Sequence, residues 1–269
     1  MRVHHFDCGT MRELDPVDPA GRARGAVCRC LVVETASDGL VLVDTGLGRA
    51  DMADPEGRLG ADWTAMVGPV PDPDRTAHAR ITAAGLDPAD VRHIVVTHLH
   101  RDHTGGLPDF PAATVHLHAE EYRAVTDPDA EHHKTALDHF MAAHRAHGPR
   151  LTPARPEPGA SWQGFTDVAE LPGGLLLVGL PGHSPGHSGV AVPIGDGWVL
   201  HAGDAYFLQG ELDDPPVSHP VFDALQEGVQ VDAELRTDTL RRLRALHGDA
   251  TAGVEIVAAH DPWDFARYA

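Results

Sequence analysis

The chain has 269 residues, of which 42% are hydrophobic, and its formal net charge is −19. This length and composition allow a sizeable buried core in one large α/β domain or two small ones, whereas the negative charge argues against nucleic acid as a partner, because nucleic-acid binding needs a basic surface. The N-terminal segment lacks the apolar core of a signal peptide and no apolar run approaches membrane-spanning length, so we expect a cytoplasmic protein that does not contact a membrane.

The first predicted elements form a β-hairpin. Residues 27–34 and 40–43 are apolar runs typical of strands, and the Ser-Asp-Gly sequence at 37–39 predicts a tight turn between them. Cys28 and Cys30 lie in the first run, too close for an ordinary disulfide, and we interpret them as small buried hydrophobic residues. A total of three cysteines fits a reducing compartment.

The hairpin ends in Asp44-Thr45-Gly46, and a long segment rich in Gly, Pro and Asp follows at 48–75. Long irregular segments inside a compact domain are usually functional or disordered. The apolar residues of this segment favour a folded but irregular flap that lines a substrate pocket. Its candidate pocket residues are Trp63, Met66 and Val67.

Strands and helices alternate through the rest of the chain. Strands are predicted at 93–97, 113–118, 175–180, 189–194, 197–202 and 254–258, and helices at 76–84, 119–125, 131–147, 221–228 and 232–247. Residues 149–159 are interpreted as a Pro-rich connection. Because the strands come in two sets, each followed by helices, we predict an α/β fold of two packed sheets with helices outside, a four-layer αββα sandwich. We treat residues 1–269 as a single domain with a flap insertion.

Four side chains that can bind metal follow the strand at 93–97 within six positions: His98, His100, Asp102 and His103. Neutral imidazoles and carboxylates are typical ligands of zinc, iron and similar ions. A polar surface loop is the simpler alternative, but further residues of the same types follow later strands. The pattern therefore predicts a metal site.

The spacing of these side chains suggests two ions. His98 and His100 are two apart in extended backbone, so they project to the same side and can share one ion. Asp102 and His103 lie where the chain turns and can face a second ion. Further ligands come from Gly182–His187, Gly203-Asp204 and Ala259-His260-Asp261. We expect one ion to be bound by His98, His100, His183 and Asp204, and the other by Asp102, His103, His260 and Asp204.

Taken together, these motifs resemble those of the metallo-β-lactamase-fold hydrolases over about residues 27–261, and in particular those of the quorum-quenching N-acyl-homoserine lactonases. The resemblance implies an αββα sandwich with two divalent ions at one sheet edge, with zinc as the default and iron, cobalt or manganese as alternatives. It implies that His183 rather than His187 is a ligand and that His187 contacts the ligands without binding the metal. It also places Asp44 and Gly46 in a structural turn below the metals, and makes a homodimer plausible.

The expected reaction is hydrolysis of a small-molecule substrate. Two divalent ions lower the pKa of a bound water from about 15.7 towards about 7, so a metal-bridging hydroxide could attack the carbonyl of a lactone or carboxylic ester, while Asp102 moves the proton to the leaving group. One position departs from the lactonase pattern. The tyrosine expected three residues after the bridging aspartate is Phe207 here, and Tyr206 lies one position earlier. Both are candidate substrate contacts.

Three alternatives stay open at the level of sequence. A glyoxalase II-like thioesterase shares the metal motifs, but it carries a helical domain after its last metal histidine, and only nine residues follow His260. An iron-dependent redox enzyme, such as a persulfide dioxygenase or a diiron oxygen reductase, is the second alternative, and a mononuclear dioxygenase needs fewer ligands than the seven found. A metal-stabilised binding protein without activity would be expected to lack one or more of them.

Overall fold

The computed structural model describes residues 1–17 and 21–268. Its strands are β1 (Arg2–Asp7), β2 (Glu13–Leu14), β3 (Arg24–Gly25), β4 (Arg29–Glu34), β5 (Leu40–Val43), β6 (Val91–Val95), β7 (Thr114–His118), β8 (Arg150–Ala154), β9 (Val168–Glu170), β10 (Leu176–Gly179), β11 (Ser188–Ile194), β12 (Gly197–His201) and β13 (Val254–Val257). Its helices are α1 (Arg49–Ala53), α2 (Pro55–Leu59), α3 (Ala61–Val67), α4 (Ala77–Ala83), α5 (Arg101–Thr104), α6 (Ala119–Thr126), α7 (His133–His139), α8 (Ala142–Arg145), α9 (Pro220–Val229), α10 (Ala233–Gly248) and α11 (Pro262–Phe265).

Two mixed sheets form the centre of the fold. The first has the strand order β1-β4-β5-β6-β7-β8, in which β1, β4 and β5 pair antiparallel and β5 to β8 run parallel. The second has the order β13-β12-β11-β10-β9, in which only the β12–β13 pair is parallel. A short ribbon of β2 and β3 lies apart from both.

Alternation along single strands explains why the sheets stack. In β4, Leu31 and Val33 face the second sheet, while Cys30 and Val32 face a separate cluster on the outer side. Successive strand residues point to opposite faces, so a strand that is apolar at every position is covered on both sides. The outer cluster contains Ile81 of α4. On the other side of the molecule, α10 covers the second sheet through residues such as Leu243. The expected αββα sandwich is confirmed.

The flap at 48–75 is more regular than its composition suggests. It folds into α1, α2 and α3, followed by a 3₁₀ turn at Pro73–Arg75. The glycines and prolines that pointed to irregular chain sit at the ends of these short helices. Pro55 begins α2 and Gly68 ends α3 in the left-handed conformation, as helix ends prefer. The expectation of an irregular segment was wrong.

The segment 131–147 forms two short helices instead of one. The chain leaves helical geometry between α7 and α8, at Phe140 and Met141. Phe140 is buried in the outer core of the first sheet, whereas Leu137 and Met141 are only half-buried. A straight helix would carry Leu137, Phe140 and Met141 on one face, but the break lets Phe140 enter the core without the other two.

Five strands were missed in the sequence, two of them the short β2 and β3 that pair with each other. β1 and β8 form the two edges of the first sheet, and β9 forms an edge of the second. β8 lies inside the predicted Pro-rich connection and contains Pro153, which an edge strand tolerates because one side of its ladder is unpaired. Within the described residues, no helix is both long and apolar enough to cross a membrane.

Candidate metal centre

The loops that follow β6, β10, β12 and β13 meet at one edge of the sandwich. They bring together His98, His100, His183 and Asp204, whose donor atoms all lie within 4.8 Å of one another. Nε2 of His183 and Nδ1 of His100, for example, are 3.1 Å apart. Four donors this close have the composition and spacing of a tetrahedral metal site.

A second group of donors adjoins the first. His103, Asp204 and His260 also have donor atoms within 4.8 Å of one another. Oδ2 of Asp102 lies 3.5 Å from Nε2 of His260 and so belongs to the same group. The fold therefore brings together all seven predicted His and Asp side chains, although they are spread over about 160 positions. Sγ of Cys28, which the sequence analysis interpreted as a buried hydrophobic residue, also lies within 4.8 Å of the donor atoms of Asp102 and His260.

Asp204 lies between the two groups and turns one oxygen to each. Its Oδ2 is 3.3 Å from Nε2 of His183. Its Oδ1 is 3.3 Å from Nε2 of His103 and 3.2 Å from Nε2 of His260. One carboxylate can thus serve two cations at once.

Several donor atoms are buried without a partner. Nε2 of His98 has no hydrogen-bond partner within residues 1–17 and 21–268. Nε2 of His103 and Oδ1 of Asp204 are close but not aligned for a hydrogen bond, and both also lack a partner in that part of the chain. Buried polar atoms left unpaired are costly. A cation between these atoms would remove that cost, so the residues fit a metal.

The pKa values of the donor side chains also favour a bound metal ion. Burial lowers the pKa of His98 and of His100 well below the ordinary value, and neighbouring imidazoles lower it further, so both rings are neutral and keep a lone pair for coordination. Burial also acts to lower the pKa of His103 and of His260, but the net shift of each pKa is upward, because Asp204 acts together with Asp44 beside His103 and with Asp102 beside His260. The same two imidazoles hold the pKa of Asp204 well below its usual range. The carboxylate therefore attracts positive charge into the site.

In His103, His183 and His260, the ring nitrogen that faces away from the centre has a partner that fixes the orientation of the ring. Nδ1 of His260 donates to the carbonyl oxygen of Val27 at 2.7 Å, and Nδ1 of His183 lies 2.6 Å from Oε1 of Gln226. Nδ1 of His103 lies 2.8 Å from Oδ2 of Asp44. These contacts leave Nε2 of each ring free to face the centre, which is how metal-binding histidines are usually oriented.

Asp44 and Gly46 form the turn beneath the centre. Besides His103, Asp44 accepts hydrogen bonds from the backbone N–H and the hydroxyl of Thr97, at 2.8 and 2.9 Å. Its own φ is +53°, an uncommon conformation for a residue with a side chain. Gly46 has a φ of +60°, and a Cβ there would overlap the carbonyl oxygen of Cys8. Both residues thus have supporting positions, in keeping with the expectation from the resemblance.

His187 lies behind the donors. Its Nε2 accepts the backbone N–H of Asp204 at 2.9 Å, and its Nδ1 donates to the carbonyl oxygen of Leu180 at 2.8 Å. Burial lowers its pKa to about 3, so the ring is neutral and can act as this acceptor. With both nitrogens engaged, His187 orients Asp204 and has no donor atom left for a cation.

A cavity of about 900 Å³ opens onto the donors. Trp63, Met66 and Val67 of α3 line one wall, and Phe207 lies near His183 and His260, as expected. Tyr206 does not reach the cavity. Its ring is buried in the core under α10, and its hydroxyl donates to Oε1 of Gln209 at 3.0 Å. The expectation that Tyr206 contacts substrate was wrong, because adjacent residues at this turn point in opposite directions.

Two residues of the site escaped sequence reasoning. Gln226 of α9 contacts His183 and also donates to the carbonyl oxygen of Asp204 at 2.9 Å. Arg101 donates to the carbonyl oxygens of Leu59 and Asp138, and its guanidinium lies 5.7 Å from the centre of the Trp63 ring. Nothing in the local sequence marks Gln226, since a glutamine on an amphipathic helix is ordinarily exposed. Arg101 could be suspected from its place between two donors.

An αββα sandwich with this donor cluster at its edge defines a class of metal-dependent hydrolases. The chain belongs to the metallo-β-lactamase superfamily, whose family model matches residues 23–260. A probable metallo-hydrolase of Mycobacterium tuberculosis is 38% identical over 268 residues, which cover 97% of this chain and 81% of the relative. An N-acyl homoserine lactonase of Azorhizobium caulinodans is 30% identical over 236 residues, covering 85% and 80%.

Solved structures of such enzymes share the fold. An N-acyl homoserine lactone hydrolase with N-hexanoyl-L-homoserine bound at its catalytic metal centre aligns with a TM-score of 0.66 at 21% identity, over 98% of this chain and 95% of that one. A dizinc quorum-quenching lactonase, in complex with a product, aligns with a TM-score of 0.58 at 17% identity, over 96% and 92%. The protein is a metal-dependent hydrolase of this superfamily.

Proposed function

We propose that the protein is a dinuclear metallo-hydrolase that opens lactones or cleaves carboxylic esters. The observation that carries this proposal is the pair of donor groups that share Asp204. One group would hold the first ion through His98, His100 and His183, and the other would hold the second through Asp102, His103 and His260. A site that holds one ion would not need the second group of buried, converging donors.

The bound group would be two divalent ions, which we expect to be zinc, and they would acidify a water molecule and polarise the substrate carbonyl. The residues of the chain supply orientation and proton transfer. Asp102 lines the cavity and keeps a partly exposed carboxylate beside His260. It can therefore receive a proton in the site and pass it to the leaving oxygen. The neighbouring imidazoles keep the carboxylate of Asp204 ionised, and its negative charge would hold the cations between the two donor groups.

The cavity supports a small-molecule substrate with an apolar part. Its volume lies in the range of ordinary ligand pockets, and such pockets combine apolar walls with a few polar groups at one end. Here the donors form the polar end, and side chains of α3 and α9, among them Trp63 and Phe222, form the walls. The relatives named as N-acyl homoserine lactonases support a lactone. Phe207 stands where those lactonases have a tyrosine that contacts substrate, so this chain lacks that contact. We therefore propose lactones as the substrate class without assigning homoserine lactones.

We infer that both sheets belong to one domain. Leu31 and Val43 of the first sheet share a continuous core with Val190 and Val257 of the second. The donors likewise come from loops of both sheets. Neither sheet could be removed without exposing this core and dividing the site.

The test is an activity screen on protein whose metal content has been measured. We expect about two zinc or similar ions per chain, turnover of lactones or carboxylic esters, loss of activity on chelation and recovery on adding metal. His98→Ala should lose metal and activity together, whereas His147→Ala, at an exposed position, should lose neither.

Two results would contradict the proposal. Trace metal after careful purification would remove its basis. A panel in which lactones and esters stay intact while thioesters or phosphodiesters turn over would show that the reaction is a different one. Iron together with oxygen uptake would favour a redox enzyme.

A further inference from the structure

Glu121 is a buried carboxylate that the proposed reaction does not use. It lies on α6, outside both donor groups, and is only 2% exposed. Its Oε1 accepts the backbone N–H of Leu99 at 2.9 Å. Its Oε2 accepts the hydroxyl of Ser184 and the backbone N–H of Gly186, both at 2.8 Å. Three donors on one buried carboxylate form a strong, directional junction.

The three bonds join two loops that carry donors. Leu99 lies between His98 and His100, and Ser184 directly follows His183. These three histidines are all the imidazoles of the first donor group. The carboxylate of Glu121 therefore spans the gap between the loop that supplies two of them and the loop that supplies the third.

The backbone is shaped to allow this contact. A Cβ at Gly186 would overlap the backbone nitrogen of Glu121, so the glycine lets the start of α6 come against the loop. Burial raises the pKa of Glu121, while its hydrogen bonds act in the opposite direction. The carboxylate thus depends on all three donors, and an amide in its place could offer only one acceptor atom.

We propose that Glu121 is a positioning residue that sets the separation of these two loops and thereby the metal affinity of the first site. The proposal rests on the two-ion centre proposed above. The second site is oriented by other contacts, namely those of Asp44 to His103 and of the Val27 carbonyl to His260. Loss of the Glu121 carboxylate should therefore weaken one site and spare the other.

The experiment measures zinc binding by the metal-free full chain. Zinc is titrated in competition with a chromophoric chelator, which resolves two dissociation constants. His183→Ala and His260→Ala identify which constant belongs to which site. For Glu121→Gln we expect the first site to weaken about tenfold or more, as is usual when groups behind metal ligands are lost. The second site should change by less than about threefold on the same grounds.

Neighbouring residues provide the controls. Glu120→Gln, at an exposed position on the same helix where the side chain binds Arg123, should leave both constants unchanged. Ser184→Ala removes one of the three hydrogen bonds and should weaken the first site to a smaller extent, and it decides the question if Glu121→Gln does not fold. Glu121→Asp keeps the charge and should recover part of the affinity.

The outcomes separate the two proposals. Equal weakening of both sites in parallel with a lower melting temperature would show that Glu121 merely stabilises the fold, and unchanged constants would show that it does not act on the centre. Either result overturns the inference. If the unaltered protein binds no zinc, the proposed two-ion centre itself fails.

Discussion

The donor cluster and the wall of the cavity above it are built in different ways. Each donor histidine except His100 turns its second nitrogen to a fixed partner within the chain, as His103 does to Asp44 and His260 to Val27. The wall instead presents side chains such as Trp63, Met66 and Leu225, which contribute shape and apolar surface. Met66 is 46% exposed. Hydrogen bonds orient the donor side chains, whereas the short helices of the flap determine the shape of the cavity.

This difference has a consequence for substitutions. Removal of a donor or its partner should act on metal content and on kcat with every substrate. Removal of a wall side chain should act on KM and depend on the substrate, because apolar contacts are made equally in the ground and transition states.

Asp204→Asn should have the largest effect. Because Asp204 faces both donor groups, the amide should lower metal content and reduce kcat/KM by about 1000-fold or more, for every substrate. Metal analysis and kinetics on the same samples measure it. Asp196→Asn, in the exposed turn between β11 and β12, is the matched control. A variant that keeps its metal and more than about a tenth of its activity would contradict the separate roles of donor and wall residues.

Trp63→Ala should act on specificity. Loss of this apolar wall should raise KM about tenfold for substrates with long apolar chains and leave short ones within about twofold, with metal content unchanged. Steady-state kinetics over a series of chain lengths measure it. Val70 is an exposed residue of the same flap that does not line the cavity, so Val70→Ala should leave KM unchanged for every substrate. The same loss for all chain lengths would mean that the flap supports the centre itself.

Tyr206→Phe should have the smallest effect on activity. The hydroxyl bonds Gln209 in the core, so its loss should lower the free energy of unfolding by about 1 kcal/mol while kcat/KM changes by less than about twofold. Chemical denaturation and kinetics separate the two quantities. A large loss of activity at unchanged stability would place Tyr206 at the substrate after all.

The sandwich and the donor set were predictable from sequence because both depend on local patterns. Apolar runs marked most strands, and donors at their ends marked the site. The edge strand β8 was not predictable in this way, since Pro153 argues against a strand until its edge position is known. The break at Phe140 and the burial of Tyr206 depend on packing between distant segments, which no local pattern contains. Glu121 and Gln226 were missed for the same reason.

The parallel pairing of β12 with β13 has a bearing on how the protein matures. β13 delivers His260, and α9 and α10 lie between β12 and β13 in the chain. A nascent chain whose β13 is still inside the ribosome lacks His260 and has an incomplete second donor group. A metal stabilises only the conformation that assembles its ligands. Tight metal binding would therefore begin only once β13 has paired with β12, and it would stabilise the completed fold.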